Sequence, residues 1–240
     1  MARPAFYAAR PGRWRDWWTL LHPPYTAWHL AYVVIGATLA PHTDGVRLAA
    51  TLLAFFAAVG VSAHALDELH GRPLKTAIPT AGLAVAAGGG LLVACALGIA
   101  GIARVGPGLL VFIVIGPVLV LGYNLELFGG RLHSDLGFAA SWGAFPVLVA
   151  YYVQAETIDL TAVLAATAAL GFSLAQRSLS TPARTLRRRV ARVDGSITMH
   201  DGREREVTAP LLLQPLEQAL RTMSWAIVVL ALALLASRMA

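Results

Sequence analysis

Charge is what this sequence has least of. Only 13% of its 240 residues are Asp, Glu, Lys or Arg, against 57% hydrophobic residues and a mean hydropathy of +0.64. A soluble domain carries about twice that share of charge, so lipid is the solvent for most of the chain. Cysteine is nearly absent. The one thiol, Cys95, lies inside an apolar stretch, which excludes a disulfide framework and a cysteine zinc site and reads as a small buried hydrophobe. Acids are also few, 13 against 19 Lys and Arg, for a net charge of +6. The arginines stand at the ends of apolar segments, so no nucleic-acid partner is expected. Arg3, Arg10, Arg13 and Arg15 precede an apolar run, but Pro23 and Pro24 interrupt it and no small-residue cleavage site follows cleanly, unlike a signal peptide.

What is abundant is apolar run length. About 20 mostly apolar residues are needed to cross the hydrocarbon layer. Such stretches fall near 24–41, 46–66, 79–103, 107–124, 135–153, 158–176 and 217–238. The expected fold is therefore all-α: a polytopic transmembrane helix bundle of about seven spans. Trp14, Trp17 and Trp18 beside Arg13 and Arg15 predict an interfacial helix, broken from the first span by the two prolines. With the N-terminus in the cytoplasm, only Arg47, Arg104 and Arg238 of the 19 basic residues fall outside. The positive-inside rule then gives a multi-pass inner-membrane protein with a cytoplasmic N-terminus.

One segment differs in kind. After Arg187 to Arg189, the pairs Asp194-Gly195 and Asp201-Gly202 sit among alternating residues, a hairpin signal. A small two- or three-stranded β meander on the anionic membrane surface is expected. The chain divides into a cytoplasmic N-terminus with its interfacial helix (1–22), a six-span bundle (23–185), a basic insertion (186–209) and a C-terminal transmembrane helix (210–240).

The polar residues gather at the cytoplasmic ends of the spans. His64, Asp67 and Glu68 are spaced i, i+3 and i+4, which predicts one shared helix face. Tyr123, Asn124 and Glu126 end the fourth span; His133 and Asp135 open the fifth; Arg177 and Arg184 follow the sixth; His22 and His29 flank the start of the first. A charge at the bilayer centre costs about 2.5–3.5 kcal/mol and less toward the ends. Each residue alone is therefore compatible with interfacial solvation. Together they suit either of two chemistries. Carboxylates with guanidinium groups suit Mg²⁺ and a diphosphate, since Mg²⁺ takes oxygen ligands and the cations stabilise a departing phosphate. His64, Glu68, Glu126, His133 and Asp135 suit a transition metal such as Zn²⁺, Fe²⁺ or Mn²⁺.

Three stretches carry a family likeness. Residues 21–37, with His22-Pro23-Pro24 and Gly36-Ala37, form the first. Leu66-Asp67-Glu68-Leu69-His70-Gly71-Arg72-Pro73-Leu74 is the second. The third, residues 135–154, carries Gly143-Ala-Phe-Pro146 and Tyr151-Tyr152. In these the chain resembles the UbiA-type intramembrane prenyltransferases, diffusely over roughly residues 15 to 190. The resemblance implies an all-helical fold that moves an isoprenoid chain from a diphosphate onto an acceptor. It also implies that Asp67 and Glu68 hold Mg²⁺, that Arg72, Lys75, Arg177 and Arg184 bind the diphosphate, and that Tyr123 and Asn124 line the acceptor side. The first Asp-rich motif keeps one aspartate, and residues 175–186, where the second would fall, contain no acid.

Three functions follow as expectations: a divergent UbiA-like prenyltransferase acting on an isoprenyl diphosphate with Mg²⁺; a non-catalytic relative that binds an isoprenoid or membrane lipid; or a His/carboxylate membrane metalloenzyme.

Overall fold

A computed structural model describes residues 4–10 and 12–239. Among the described residues the ordered elements are eight helices, a short 3-10 turn at Phe128–Gly130 and one small ribbon: α1 (Arg13–Leu20), α2 (Pro23–Leu39), α3 (Gly45–Leu69), α4 (Thr80–Val105), α5 (Leu109–Asn124), α6 (Asp135–Ala155), α7 (Leu160–Arg188), β1 (Ser196–Thr198), β2 (Glu204–Glu206) and α8 (Ala209–Met239). Five of the helices, α3, α4, α6, α7 and α8, are long and apolar enough to cross a membrane. The other two expected spans are shorter: α5 is apolar over 16 residues and α2 has 17.

The helix ends follow local chemistry. Asp44 caps α3 by accepting from Val46 N and Arg47 N at 2.8 and 2.9 Å. Ser134 caps α6 through Gly137 N, and Asp159 caps α7 through Ala162 N. Each satisfies amides that a helix start leaves unpaired. Prolines 23 and 24 occupy the first turn of α2, where a missing N–H costs nothing.

The shortness of α2 fits its place at the centre. It packs along both α6 and α8, and Trp28, Tyr32, Val33 and Ala37 are at most 1% exposed. Apolar burial drives little helix association when lipid is the alternative solvent, so close packing and interhelical hydrogen bonds must do it. A Cβ on Gly36 would strike the Val147 carbonyl; only glycine lets α2 lie this close to α6. Ser62 Oγ donates to the Ala87 carbonyl at 2.6 Å, joining α3 to α4, and Ser173 bonds Tyr32 Oη at 3.3 Å, joining α7 to α2. Bonds of this kind contribute about 0.6 kcal/mol each. At the periphery α4 buries only Leu83, Ala87 and Val105.

Two helices widen into π turns at Phe56–Ala63 in α3 and Ala140–Ala144 in α6. Such turns shift carbonyls out of the regular ladder and recur at functional sites.

The ribbon has two strands, paired antiparallel as Ser196↔Glu206, Ile197↔Arg205 and Thr198↔Glu204. Its turn uses Asp201-Gly202, with Gly202 at φ 83; Asp194-Gly195 leads into β1 instead. Helix α7 runs through Arg188 and α8 begins at Ala209. Arg187 and Arg188 thus belong to a helix that Pro182 does not stop, where the sequence suggested the opening of a loop.

Candidate functional site

Residues 66–80, which include one of the three stretches that suggested the resemblance, fold into a clasp. Glu68 is fully buried. Its Oε2 accepts from Leu74 N at 2.9 Å, and its Oε1 from Thr76 N and Thr76 Oγ1, both at 2.9 Å. Arg72 turns back to donate to the Ile78 carbonyl at 2.6 Å and to Thr80 Oγ1 at 2.9 Å. Gly71, Arg72 and Lys75 all take positive φ, a costly conformation for the two side-chain-bearing residues that these bonds hold in place. Asp16 of α1 adds a bond to Ala77 N at 3.0 Å. Both Glu68 oxygens and the Arg72 guanidinium are therefore engaged by the loop, and Lys75 is exposed. The face expected to unite His64, Asp67 and Glu68 splits: His64 and Asp67 line a cavity, while Glu68 points to the loop.

That cavity, of about 440 Å³, opens at the end of the bundle where α2 begins. It brings together seven of the expected residues: His64, Asp67, Tyr123, Asn124, His133, Arg177 and Arg184. Arg177 donates to Asp135 at 2.8 Å and lies 5.4 Å over the Phe138 ring. Arg187 grips Glu217 of α8 with two bonds, one of them Nη2 to Oε2 at 2.7 Å. Arg184 bonds Thr181 Oγ1 at 3.3 Å, and no carboxylate forms an ion pair with it among the described residues. Arg177, Thr181, Arg184 and Arg188 recur at helical spacing on α7, a cationic stripe along one wall.

Four histidines also line the cavity. His29 Nδ1 lies 2.8 Å from the Trp142 carbonyl, His64 Nδ1 3.1 Å from the Gly60 carbonyl, and His133 Nδ1 3.0 Å from the Tyr123 carbonyl. A carbonyl only accepts, so Nδ1 carries the proton and the neutral ring keeps a lone pair on Nε2. Gly60 and Trp142 belong to the two π turns; His29 and His64 thus bond carbonyls within the irregular turns. His22 sits in left-handed backbone at φ 47 before Pro23, a strained position of the kind found at functional sites. Its ring meets that of His64 at 4.2 Å. Burial, reinforced by His64, Arg188 and Arg184, holds the His22 imidazole well below its usual range.

The transition-metal set does not converge. Glu68 is in the clasp, Asp135 is paired with Arg177, and Glu126 is half exposed and 4.0 Å from His133. Among the described residues no group of three or more His, Cys, Asp or Glu side chains is placed to hold a metal ion. The carboxylates on the cavity wall are Asp67 and Glu217, and Glu217 is taken up by Arg187; Asp67 is an oxygen donor of the type Mg²⁺ takes, one or two carboxylates usually sufficing where phosphate completes the set.

Residues 4–7 form part of the cavity lining. The Phe6 ring stacks under Arg221 at 4.9 Å, Tyr7 packs edge-on against His22 and Tyr25, and Arg188 donates to the Pro4 carbonyl at 3.2 Å. Burial, with Tyr25 next, raises the Tyr7 phenol well above its usual range.

A second, apolar chamber of about 270 Å³ lies between α3, α4, α5 and α6. Val59 and Trp142, one from each π turn, line both spaces. The chamber ends at Arg47 and Arg104, where Arg47 bonds the Val153 and Arg104 carbonyls and Glu156.

Arg177 and Arg184, expected from the sequence, line the cavity beside Tyr7, Gln176, Arg188, His22 and His29, to which the sequence assigned no binding role. The usable signal was the spacing 177, 181, 184, 188, hidden by ending the sixth span at 176. No protein-family model, curated protein or solved structure matches the chain.

Proposed function

We propose that this chain is a divergent UbiA-like inner-membrane prenyltransferase that takes an isoprenyl diphosphate from the cytoplasmic side. The observation that carries the proposal is the shared wall. An arginine-lined polar cavity and an apolar chamber meet at Val59 and Trp142, which suits a molecule with an anionic head and a hydrocarbon tail. Arg184, Arg177 and Arg188 bind the diphosphate, guanidinium being the group best shaped for bidentate phosphate contacts. The same cations stabilise diphosphate as it leaves. Asp67 holds one Mg²⁺, which supplies further charge neutralisation. Tyr123 and Asn124, both buried, face the acceptor, and the tail passes Val59 into the chamber.

The orientation draws support from the three exceptions to the charge rule. Arg47 and Arg238 donate to carbonyls at the C-terminal ends of α6 and α2, and Arg47 also bonds the carbonyl of Arg104 at the end of α4. Two of the three guanidinium groups are thus engaged by helix ends, whose dipoles attract cations. The cavity and its arginine stripe lie at the opposite end, which this orientation assigns to the cytoplasm.

Glu68's engagement in the clasp favours a second reading, a non-catalytic isoprenoid or membrane-lipid binder that uses the same spaces without metal. One experiment separates them. Protein purified into lipid nanodiscs is titrated with isoprenyl diphosphates of several lengths, with Mg²⁺ and with EDTA. The transferase reading expects Mg²⁺-dependent binding, weakened about tenfold, or about 1.4 kcal/mol, by Arg184→Gln. Metal-independent binding without turnover supports the binder. No binding at any chain length sinks both.

A further inference from the structure

Below the arginines the cavity changes character. Gln176, 2% exposed, lines it from α7, and its Oε1 is buried without a hydrogen-bond partner. His22 Nε2 is buried in the same condition. His29, 4% exposed, and His64 commit their Nδ1 protons to the Trp142 and Gly60 carbonyls, which makes each Nε2 an acceptor. All four residues line one space. Buried polar atoms without partners are rare in folded proteins, and each asks for an explanation. Here acceptors from three helical regions cluster in one cavity, and that cluster calls for a ligand that donates.

We infer that the inner half of the cavity is a binding subsite for a polyhydroxylated molecule, a sugar or cyclitol, whose O–H groups satisfy Gln176, His22, His29 and His64. The number of acceptors decides the class. A phenol brings one O–H and would leave most of the set unpaired, whereas adjacent ring hydroxyls can reach several acceptors at once. Phe138, Tyr123 and Trp142 supply the aromatic surface that the C–H face of such a ring covers. The depressed His22 imidazole is neutral at pH 7 and so keeps an acceptor nitrogen.

The subsite rests on the transferase reading only where this molecule is taken as the prenyl acceptor. There its hydroxyl oxygen bonds to C1 of the chain as the bond from C1 to the diphosphate oxygen breaks. The diphosphate leaves with the electron pair to the arginines, and the hydroxyl proton passes to an imidazole Nε2.

Saturation-transfer NMR on the full chain in nanodiscs tests this, with millimolar myo-inositol, glucose and, as the single-hydroxyl control, phenol. Saturation transfer to inositol or glucose is expected, falling at least fivefold in both Gln176→Leu and His22→Asn, asparagine being able to hold the left-handed backbone at 22. Transfer to phenol alone, to none of the probes, or to the sugars equally in wild type and both variants overturns the proposal. Isoprenyl diphosphate titrated into the same samples reports on the arginines separately. Sugar signals with no diphosphate binding would overturn the transferase reading and leave this subsite standing.

Discussion

Arg238 donates from Nε to the Thr38 carbonyl at 2.7 Å and from Nη2 to the Ala40 carbonyl at 2.8 Å, fastening the last turn of α8 to the end of α2. These carbonyls have no intrahelical donor, and a charged donor to such a group is worth about 1.5–3 kcal/mol. Arg238→Ala should lower the thermal midpoint of the detergent-solubilised protein. Diphosphate affinity, set at the other end of the bundle, should stay within twofold.

Asp67 and Glu68 are adjacent in sequence and separate in role. Glu68→Ala strips the acceptor from two backbone amides and a hydroxyl, and each buried donor left unpaired costs about 1–3 kcal/mol. It should destabilise the fold and loosen residues 70–78 in hydrogen exchange. Glu68→Gln, which keeps one acceptor oxygen, should bind Mg²⁺ and diphosphate nearly as wild type does. Asp67→Asn should weaken the Mg²⁺-dependent part of binding with little change in thermal midpoint. If Glu68→Gln weakens Mg²⁺ binding as much as Asp67→Asn, the clasp assignment is wrong.

His22 should impose a pH dependence on stability. Its folded pKa lies below the unfolded value of about 6.5, because burial disfavours the imidazolium. As pH falls through that value, the unfolded chain binds a proton that the folded chain refuses, so stability declines. The drop in thermal midpoint between pH 7.5 and 5.5 should be smaller in His22→Asn than in wild type. Equal drops would show that His22 carries no share of it.

Val59 sits where the two spaces meet, and a larger side chain there should act on the tail alone. Val59→Phe is expected to weaken an isoprenyl diphosphate about tenfold or more while leaving inorganic diphosphate unaffected. Parallel loss of both ligands would mean that the chamber is not the tail's path.

The apolar run lengths made the bundle legible, and Asp201-Gly202 marked the ribbon's turn. Periodicity failed where one residue decides direction. Successive helix residues point about 100° apart, so Asp67 and Glu68 could not share a target, yet as letters they read as a pair. The clasp depends on positive φ at Arg72 and Lys75, which neither residue type announces. Arg188 was assigned to the basic insertion from 186 because the basic run reads as a connection, whereas α7 carries on beside α8, held by the Arg187–Glu217 pair. Gln176 and His29 were visible as polar letters in apolar runs, but only packing showed that both border one cavity.

The π turn at Phe56–Ala63 amounts to a one-residue insertion in α3. Removing a single residue from it would restore regular winding and rotate everything beyond by about 100°, swinging His64 and Asp67 away from the arginines and turning Glu68 out of its loop. The chemistry at this end of the molecule thus hangs on a reading-frame-like register within one helix, and a related sequence lacking that extra residue would keep the bundle while losing the site.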